Sequence, residues 1–183
     1  MSIDKNLIPT KLLWVDLEMT GLNAQTDVIL EVAAIVTDMN FVRLGSYESI
    51  IHQPDDKLDG MTEWPKSQHS RSGLTERVKN AKQSEPQVVA EFAAFIRQHF
   101  GDEPAILAGN SIHNDRIFIH KWWPEVEALL HYRMLDVSSF KILMQGTYGV
   151  TYEKSDSHRA KGDIEESIAE LVFYLNWLQK AKD

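Results

Sequence analysis

Apolar residues recur in the first third of the chain with the spacing and composition of β-strands. The run at 12–15 (LLWV) is short and uninterrupted, and the segment 28–39 (VILEVAAIVTDM) is rich in β-branched residues. Pattern alone also allows residues 31–35 to lie in a helix. The segment 47–52 (YESIIH) predicts a third strand, joined to the second as a hairpin.

Helical spacing dominates the second half of the chain, with short apolar runs between the helices. Ser84, with Gln87 three residues later, forms a capping box, and apolar residues follow it at helical spacing. Two further strands are predicted, at residues 105–108 and 132–136. Three further helices are predicted, at residues 115–123 with Asn114 as the N-cap, at about 137–145, and from 163 onward. Strands interleaved with helices predict an α/β fold with a mixed sheet and the run at 12–15 at its centre.

Residues 53–74 are polar and are interrupted by two prolines and two glycines. This composition predicts a long loop, and long loops in compact domains are often functional. Trp64 is unusual in such a segment. It is interpreted either as a plug at the edge of the core or as a ligand contact.

Two acids, Asp16 and Glu18, continue the run at 12–15. Because successive side chains of a strand alternate between faces, the two carboxylates point to the same face. Such a pair repels itself unless a proton or a cation lies between the acids, and hard oxygen ligands suit Mg²⁺ or Mn²⁺. The simpler interpretation is that the strand end emerges into solvent there.

Two further acids and one histidine lie at predicted strand or helix ends. Asp115 follows the strand at 105–108, where ligands gather in α/β sheets, although an acid in the first turn of a helix also favours the helix dipole. Asp163 opens the last predicted helix, five residues after His158. Four carboxylates and a histidine are the groups that two-metal phosphoryl chemistry needs, since the acids hold ions and the histidine takes a proton from the attacking water.

The composition, with 43% hydrophobic and 25% charged residues among 183, is that of an ordinary soluble globular protein. This length favours a single domain, here residues 1–183. The formal net charge of −8 argues against a broad basic surface that grips long nucleic acid, but metal ions can neutralise the phosphates of a short substrate locally. There is no cysteine, no secretory pattern at the N-terminus and no run of about 18 apolar residues that could span a membrane. We therefore expect a cytoplasmic protein.

Together, the motifs resemble those of the DEDDh 3′-to-5′ exonucleases and, among them, the oligoribonucleases. The first motif stands as WVDLEMTGL, the second as GNSIHNDRIF and the third as HRAKGDIEES, and the stretch HYRMLDVSSFK resembles a further segment typical of the family. The resemblance covers essentially the whole chain, and its motifs are specific. It implies a ribonuclease H-like fold, with a central mixed sheet of about five strands flanked by helices.

The resemblance also implies a role for each candidate site residue. The general base would be His158, and the ligands of two Mg²⁺ or Mn²⁺ ions would be Asp16, Glu18, Asp115 and Asp163. The positions that contact or wedge the bases are matched by Leu22, Trp64 and His69. The pocket for the 5′ end of the substrate is matched by Ser111, Tyr132, Arg133 and Ser138. In the family, the counterpart of Tyr132 comes from the other protomer, which implies a homodimer.

The implied reaction removes 5′-mononucleotides from the 3′ end of short single-stranded RNA, about two to five nucleotides long. One alternative is another DEDDh enzyme, such as a proofreading subunit or a tRNA-trimming nuclease, and the HYR segment argues against it. The other is a non-catalytic oligonucleotide-binding module, against which the complete set of acids and histidine argues.

Two places depart from the family pattern. Before the third acid, oligoribonucleases usually read Gly-Gln, whereas this chain has His113 and Asn114. Before the last acid, Lys161 and Gly162 replace a hydrophobic residue and an Asp. Neither departure removes a predicted ligand, but both touch the rim of the site. His113 is interpreted either as a surface substitution or as an additional base contact.

Overall fold

Five strands form one mixed sheet in the computed structural model, which describes residues 8–153 and 160–181. The strands, β1 to β5 in chain order, are Lys11–Met19, Ile29–Asp38, Arg43–Ile50, Ala105–Gly109 and Leu130–Asp136. Their order across the sheet is β3-β2-β1-β4-β5. The β1–β2 and β2–β3 pairs are antiparallel, and the β1–β4 and β4–β5 pairs are parallel. The predicted mixed sheet with β1 at its centre is confirmed.

β2 confirms the strand predicted over 28–39, and the helical alternative for 31–35 is wrong. Every residue of β2 except the last is buried. A strand covered on both faces reads as a continuous apolar run, which is why periodicity alone left a helix open. The predicted hairpin to β3 is also confirmed, although β3 begins at Arg43, four residues before the predicted start.

Helices cover both faces of the sheet. In chain order, α1 to α8 are Asp55–Asp59, Glu63–Arg71, Leu74–Asn80, Glu85–Phe100, His113–Trp122, Pro124–Glu127, Val137–Tyr148 and Ala160–Lys180. The capping box before α4 is confirmed, because the Ser84 N–H donates to Gln87 Oε1 at 2.9 Å. None of the helices described has both the length and the apolar character needed to cross a bilayer.

The long loop predicted over 53–74 is wrong, because this segment contains α1, α2 and the start of α3. The residues that suggested a loop lie at helix ends. Gly60 follows α1, and Pro65 lies in the first turn of α2, where its missing N–H removes no helical bond. Gly73 precedes α3 with φ 74°, a conformation that glycine adopts without strain.

The N-cap predicted at Asn114 is also wrong. α5 begins at His113, and its N-cap is Ile112, which makes no side-chain cap bond. Ile112 is fully buried, so packing against the core sets the start of this helix. The last helix begins at Ala160, which places Asp163 in its first turn instead of at its opening residue.

The sheet carries a hydrophobic layer on each face, and alternation along β1 divides its side chains between them. The odd-numbered residues of 13–17 pack with α4 and α5. Leu12 and Trp14 pack on the opposite face with α7 and α8. By the same alternation, Asp16 and Glu18 point towards the side of α8. Oxygen atoms of the two acids lie within 4.8 Å of each other, which confirms the prediction that they share a face.

Gly109, at the end of β4, lies in a tightly packed part of the sheet. A Cβ at this position would lie 3.0 Å from the Val15 carbonyl oxygen and 3.1 Å from Ile112 Cδ1. Because a backbone atom cannot easily move away, Gly109→Ala should lower the free energy of unfolding by about 1–3 kcal/mol.

Gly146 is the matched control, since it is exposed in α7 and a Cβ there would meet nothing within 4 Å. Gly146→Ala should raise the free energy of unfolding by about 0.5–1 kcal/mol through helix propensity. Urea denaturation followed by circular dichroism measures both variants. Equal effects of the two substitutions would contradict the packing described for Gly109.

Candidate active site

Three carboxylates meet at the end of the central strand. Oxygen atoms of Asp16, Glu18 and Asp163 lie within 4.8 Å of one another. The strand acids point to the face that α8 covers, and the first turn of α8 brings Asp163 to them. Oxygen donors at this spacing fit a hard divalent cation. The residues present therefore suit the kind of metal that the sequence predicted.

Asp115 approaches the same strand end from α5. It is 7% exposed, and its Oδ1 accepts the Leu17 N–H at 2.9 Å. β1 pairs with β4 at Leu13 and Trp14, and further along β1 the Asp115 carboxylate takes the place of a neighbouring strand. This bond fixes the fourth predicted acid beside the other three.

Burial raises the pKa of three of these acids above the ordinary value. Burial, followed by the charge of Asp115, raises the pKa of Asp16 well above its usual range. Burial raises the pKa of Glu18 to about 7, with the charge of Glu31 as the next cause. Burial also raises the pKa of Asp115 to about 7, although the bond from the Leu17 N–H lowers it. A cation bound among the acids would favour their ionised form and lower these pKa values.

Glu31 belongs to this site and was missed by the sequence analysis. It stands opposite Glu18 in the β1–β2 pairing and is 3% exposed. Arg77 of α3 donates to both of its oxygens, at 2.8 Å from Nη1 and 3.4 Å from Nη2. Burial raises the pKa of Glu31, and the charge of Arg77 lowers it. The available signal was an acid inside the apolar run 28–39, because a buried acid needs a partner.

An apolar cavity of about 450 Å³ opens beside Glu18, and its lining includes the three predicted base contacts. Leu22 and Trp64 are 79% and 72% exposed. The interpretation of Trp64 as a core plug is therefore wrong. His69 is instead buried in the wall, where its Nε2 donates to the Met19 carbonyl at 2.8 Å. Its Nδ1 lies 3.8 Å from a Glu18 oxygen.

Asp27 holds the turn that presents Leu22 at the mouth of this cavity. Its Oδ1 accepts a bond from the Thr20 hydroxyl at 3.0 Å, and its Oδ2 accepts the Asn23 N–H at 2.8 Å. The carboxyl group lies so close to Gly21 that a Cβ there would be 2.5 Å from Oδ2. A side chain at position 21 would therefore displace the Asp27 carboxyl group and disturb its bonds to Thr20 and Asn23.

Ser111 and Ser138 meet where β4 and β5 end. Their hydroxyl oxygens are 3.0 Å apart, and the Ser111 N–H donates to Ser138 Oγ at 2.9 Å. The sequence analysis did not single out Asp136. Its Oδ1 accepts the backbone N–H groups of Ser111 and Ser138, each at 2.9 Å. The exposed His113 lies beside them, with Nδ1 3.5 Å from Asp136 Oδ2.

Tyr132 and Arg133 lie exposed on β5, at the edge of the sheet. The Arg133 guanidinium is 5.2 Å from the centre of the Tyr132 ring. Within the described residues, no hydrogen bond or ion pair joins either of them to Ser111 or Ser138. The four residues predicted for one 5′-end pocket therefore form two separate groups within one chain.

The third predicted motif is only partly described. His158, the predicted general base, lies outside the described residues, and so does the side chain of Lys161. Gly162 and Asp163 follow in the first turn of α8, and both are partly buried.

Comparison with known families places the chain in an enzyme class. A family model described as an exonuclease (RNase_T) matches residues 13–171, a span that includes all four predicted acids. The chain therefore belongs to the exonuclease family.

Curated relatives define the branch of that family. The mitochondrial oligoribonuclease of Homo sapiens is 44% identical over 177 residues, which cover 94% of this chain and 75% of that protein. The oligoribonuclease of Chromobacterium violaceum is 46% identical over 169 residues, which cover 89% of this chain and 92% of that protein. Within the exonucleases, the chain belongs with the oligoribonucleases, and the resemblance of its motifs is confirmed.

Solved structures of Exonuclease I share the fold. The zinc-ion-bound form of the E. coli Exonuclease I–ssDNA complex matches with a TM-score of 0.65 at 18% identity, covering 94% of this chain and 43% of that chain. A product-bound structure of Exonuclease I matches with a TM-score of 0.62 at 18% identity, covering 94% and 46%. The chain thus spans less than half the length of these neighbours. At this identity the likeness concerns the fold, and it confirms the ribonuclease H-like architecture.

The raised pKa values predict how stability depends on pH when metal is withheld. A carboxyl group with a higher pKa in the folded protein stabilises the fold at low pH, and that contribution is lost as pH rises through the folded pKa. For Glu18 and Asp115, this loss occurs between the ordinary pKa values of 4.5 and 3.8 and the folded pKa values of about 7. In EDTA, the free energy of unfolding should therefore fall by roughly 1–3 kcal/mol between about pH 5 and pH 8.

Charge-neutral variants check the origin of this decline. Asp16→Asn should flatten it and raise the melting temperature at about pH 8, because the amide removes one of the repelling charges. Glu125→Gln, at an exposed position in α6, should leave the decline unchanged. Urea denaturation across this pH series is the measurement, and a wild-type protein that became more stable with rising pH would contradict the prediction.

Proposed function

We propose that the protein removes 5′-mononucleotides from the 3′ end of short single-stranded RNA. The observation that carries the proposal is the cluster of Asp16, Glu18 and Asp163, whose oxygens lie within 4.8 Å of one another, next to an apolar cavity lined in part by Glu18. When a phosphodiester group binds at the acids, an adjoining base can occupy the cavity. Relatives that are named oligoribonucleases, at 44% and 46% identity, support the same reaction.

Two divalent cations, Mg²⁺ or Mn²⁺, are the proposed cofactors. When bound, they would stabilise the charge that develops on the attacking and leaving oxygens of the phosphodiester. The three clustered carboxylates supply hard oxygen ligands, and Asp115 adds a fourth acid from α5. The Leu17 N–H orients Asp115, and Arg77 offsets the charge of Glu31 behind the site.

His158 is the proposed general base. Imidazole titrates near neutral pH, so this side chain can take the proton of the attacking water. The carboxylates are less suited to this role because cation ligands must remain deprotonated. The position of His158, five residues before Asp163 in the family motif, supports the assignment.

The cavity beside Glu18 is the proposed base-binding site. A base that stacks on the exposed Trp64 ring would gain about 1–3 kcal/mol whatever its identity, since every base has a π-face. Leu22 projects at the same cavity and can wedge between neighbouring bases. His69 acts from within the wall, where its bond to the Met19 carbonyl fixes the strand end next to Glu18.

A preference for substrates of about two to five nucleotides follows from how the chain can hold them. With a net charge of −8, the protein lacks the overall field that attracts long polyanions. Stacking, cations and a cap on the 5′ end act over only a few nucleotides. The proposed cap consists of Ser111, Ser138, Tyr132 and Arg133.

A homodimer would unite the two halves of this cap. Tyr132 and Arg133 make no bond to the serine pair within the described part of the chain. β5 is an outer strand of the sheet, and exposed apolar residues extend from it to α7. Met134, Ile142 and Leu143 are 38%, 72% and 54% exposed. Burial of this surface against a second copy would bring the Tyr132–Arg133 pair of one protomer to its partner.

A cytoplasmic location is the last part of the proposal. A chain without cysteine suits a reducing compartment. The relatives named above include a bacterial protein and a mitochondrial one.

Products from 5′-labelled RNAs of two to about twenty nucleotides test the proposed reaction. In Mg²⁺ or Mn²⁺ we expect stepwise shortening from the 3′ end, with the dinucleotide cleaved fastest, and no cleavage in EDTA. Faster cleavage of the twenty-nucleotide RNA would contradict the preference for short substrates. Binding of the RNAs without turnover would support a non-catalytic module instead.

Variants assign that activity to the proposed site. Asp16→Ala and His158→Ala should each lower kcat for the dinucleotide by about 10²-fold or more, because each removes a group that acts on the reacting atoms. Asp102→Ala and His120→Ala, at exposed positions away from the acids, are matched controls and should retain wild-type rates. Wild-type hydrolysis by both site variants would show that the site is wrongly assigned.

A further inference from the structure

The outer strand β5 has two more residues than its neighbour β4 over the same stretch of pairing. The register runs from Ala105 to Leu107 on β4 while it runs from Leu130 to Met134 on β5. Extra residues in one strand leave the ladder and form a bulge. The bulge here consists of residues 131–133, the HYR sequence.

His131 is the first residue of this bulge, its side chain is buried, and three contacts of this residue hold the bulge in place. The His131 Nδ1 accepts the Arg133 N–H at 3.1 Å, and the His131 ring packs on Tyr132 with ring centres 4.5 Å apart. The His131 carbonyl accepts a bond from Arg116 Nη1 at 2.6 Å. Because Arg116 follows Asp115 in α5, these contacts join the bulge to the helix that carries one of the four acids.

The two ring nitrogens of His131 differ in their bonding. Nε2 is buried and has no hydrogen-bond partner within the described residues. Since Nδ1 accepts a bond, the proton of the neutral ring lies on Nε2. Burial, followed by the charges of Arg133 and Arg116, lowers the pKa of His131 and favours this neutral form. A buried donor without a partner destabilises a fold, so packing alone would favour an apolar ring at this position.

We infer that His131 is a positioning residue for the 5′ phosphate of the substrate, because it fixes the backbone from which Tyr132 and Arg133 project. The inference rests on the proposed function, in which this pair completes the 5′-end pocket. A guanidinium recognises phosphate through donors in a fixed fork. A guanidinium already held over the Tyr132 ring loses less conformational freedom when it binds.

Three variants separate the acceptor of His131 from its ring. His131→Phe keeps an aromatic ring and removes the acceptor. His131→Asn keeps an acceptor, since an Asn oxygen commonly binds the N–H two residues on, but removes the ring. His131→Leu also lacks the acceptor and replaces His131→Phe if that variant does not fold. Arg133→Ala is the reference for loss of the 5′-phosphate contact.

Steady-state kinetics on two dinucleotides, one with a 5′ phosphate and one with a 5′ hydroxyl, is the measurement. We expect His131→Phe to raise KM for the phosphorylated dinucleotide about tenfold and to leave kcat and the KM of the hydroxyl form nearly unchanged. It should melt close to the wild-type temperature, because loss of the bond to the Arg133 N–H is offset by removal of the unpaired Nε2 donor. His131→Asn should retain most of the wild-type preference for the 5′ phosphate.

The controls distinguish failure of this inference from failure of the proposed function. A wild-type protein that cleaves neither dinucleotide would overturn the proposed function. If Arg133→Ala loses the preference and the folded His131→Phe keeps it, the role of His131 is wrong while the function stands. A parallel loss of preference and melting temperature in both His131→Phe and His131→Asn would show that the ring merely fills the core, which also overturns the inference.

Discussion

The repulsion among carboxylates buried around the end of β1 is the constraint on which the rest of the structure depends. Each acid is stabilised in a different way. Asp115 accepts a backbone N–H from Leu17, and Glu31 is paired with Arg77. Within the cluster, burial followed by the charge of Asp115 raises the pKa of Asp16 well above its usual range, and burial followed by the charge of Glu31 raises the pKa of Glu18 to about 7. A central strand held by neighbours on both sides can maintain such a cluster, whereas a mobile loop would let the acids separate.

Two different regions flank the end of β1. The cavity with Leu22 and Trp64 lies beside Glu18, and the serine pair lies where β4 and β5 end. Asp16 and Glu18 lie on β1, and α5 and α8 bring Asp115 and Asp163 to the same strand end. In the proposed function, a short substrate would be held by base stacking on one side of these acids and by the 5′ cap on the other. The acidic character of the chain is compatible with a nucleic-acid substrate in the proposed function, where stacking, cations and end recognition would replace a broad basic surface.

Sequence reasoning succeeded where local patterns determine the outcome. The β-branched run of β2, the capping box at Ser84 and the alternation that places Asp16 and Glu18 on one face depend on neighbours in the chain. It failed at 53–74, where prolines and glycines mark helix ends, and it missed Glu31, whose partner is 46 residues away in the sequence. The bulge in β5 was equally hidden, because it exists only in the register between two strands.

The most direct test of the account is the binding of Mn²⁺, followed by electron paramagnetic resonance with a nucleoside 5′-monophosphate present. Two ions should bind per chain, and binding should be at least about tenfold weaker in Asp16→Asn and in Asp163→Asn. Glu125→Gln, at an exposed position in α6, should bind as the wild type does. Equal binding by the wild type and by Asp16→Asn would contradict the claim that the carboxylates at the end of β1 form a metal centre.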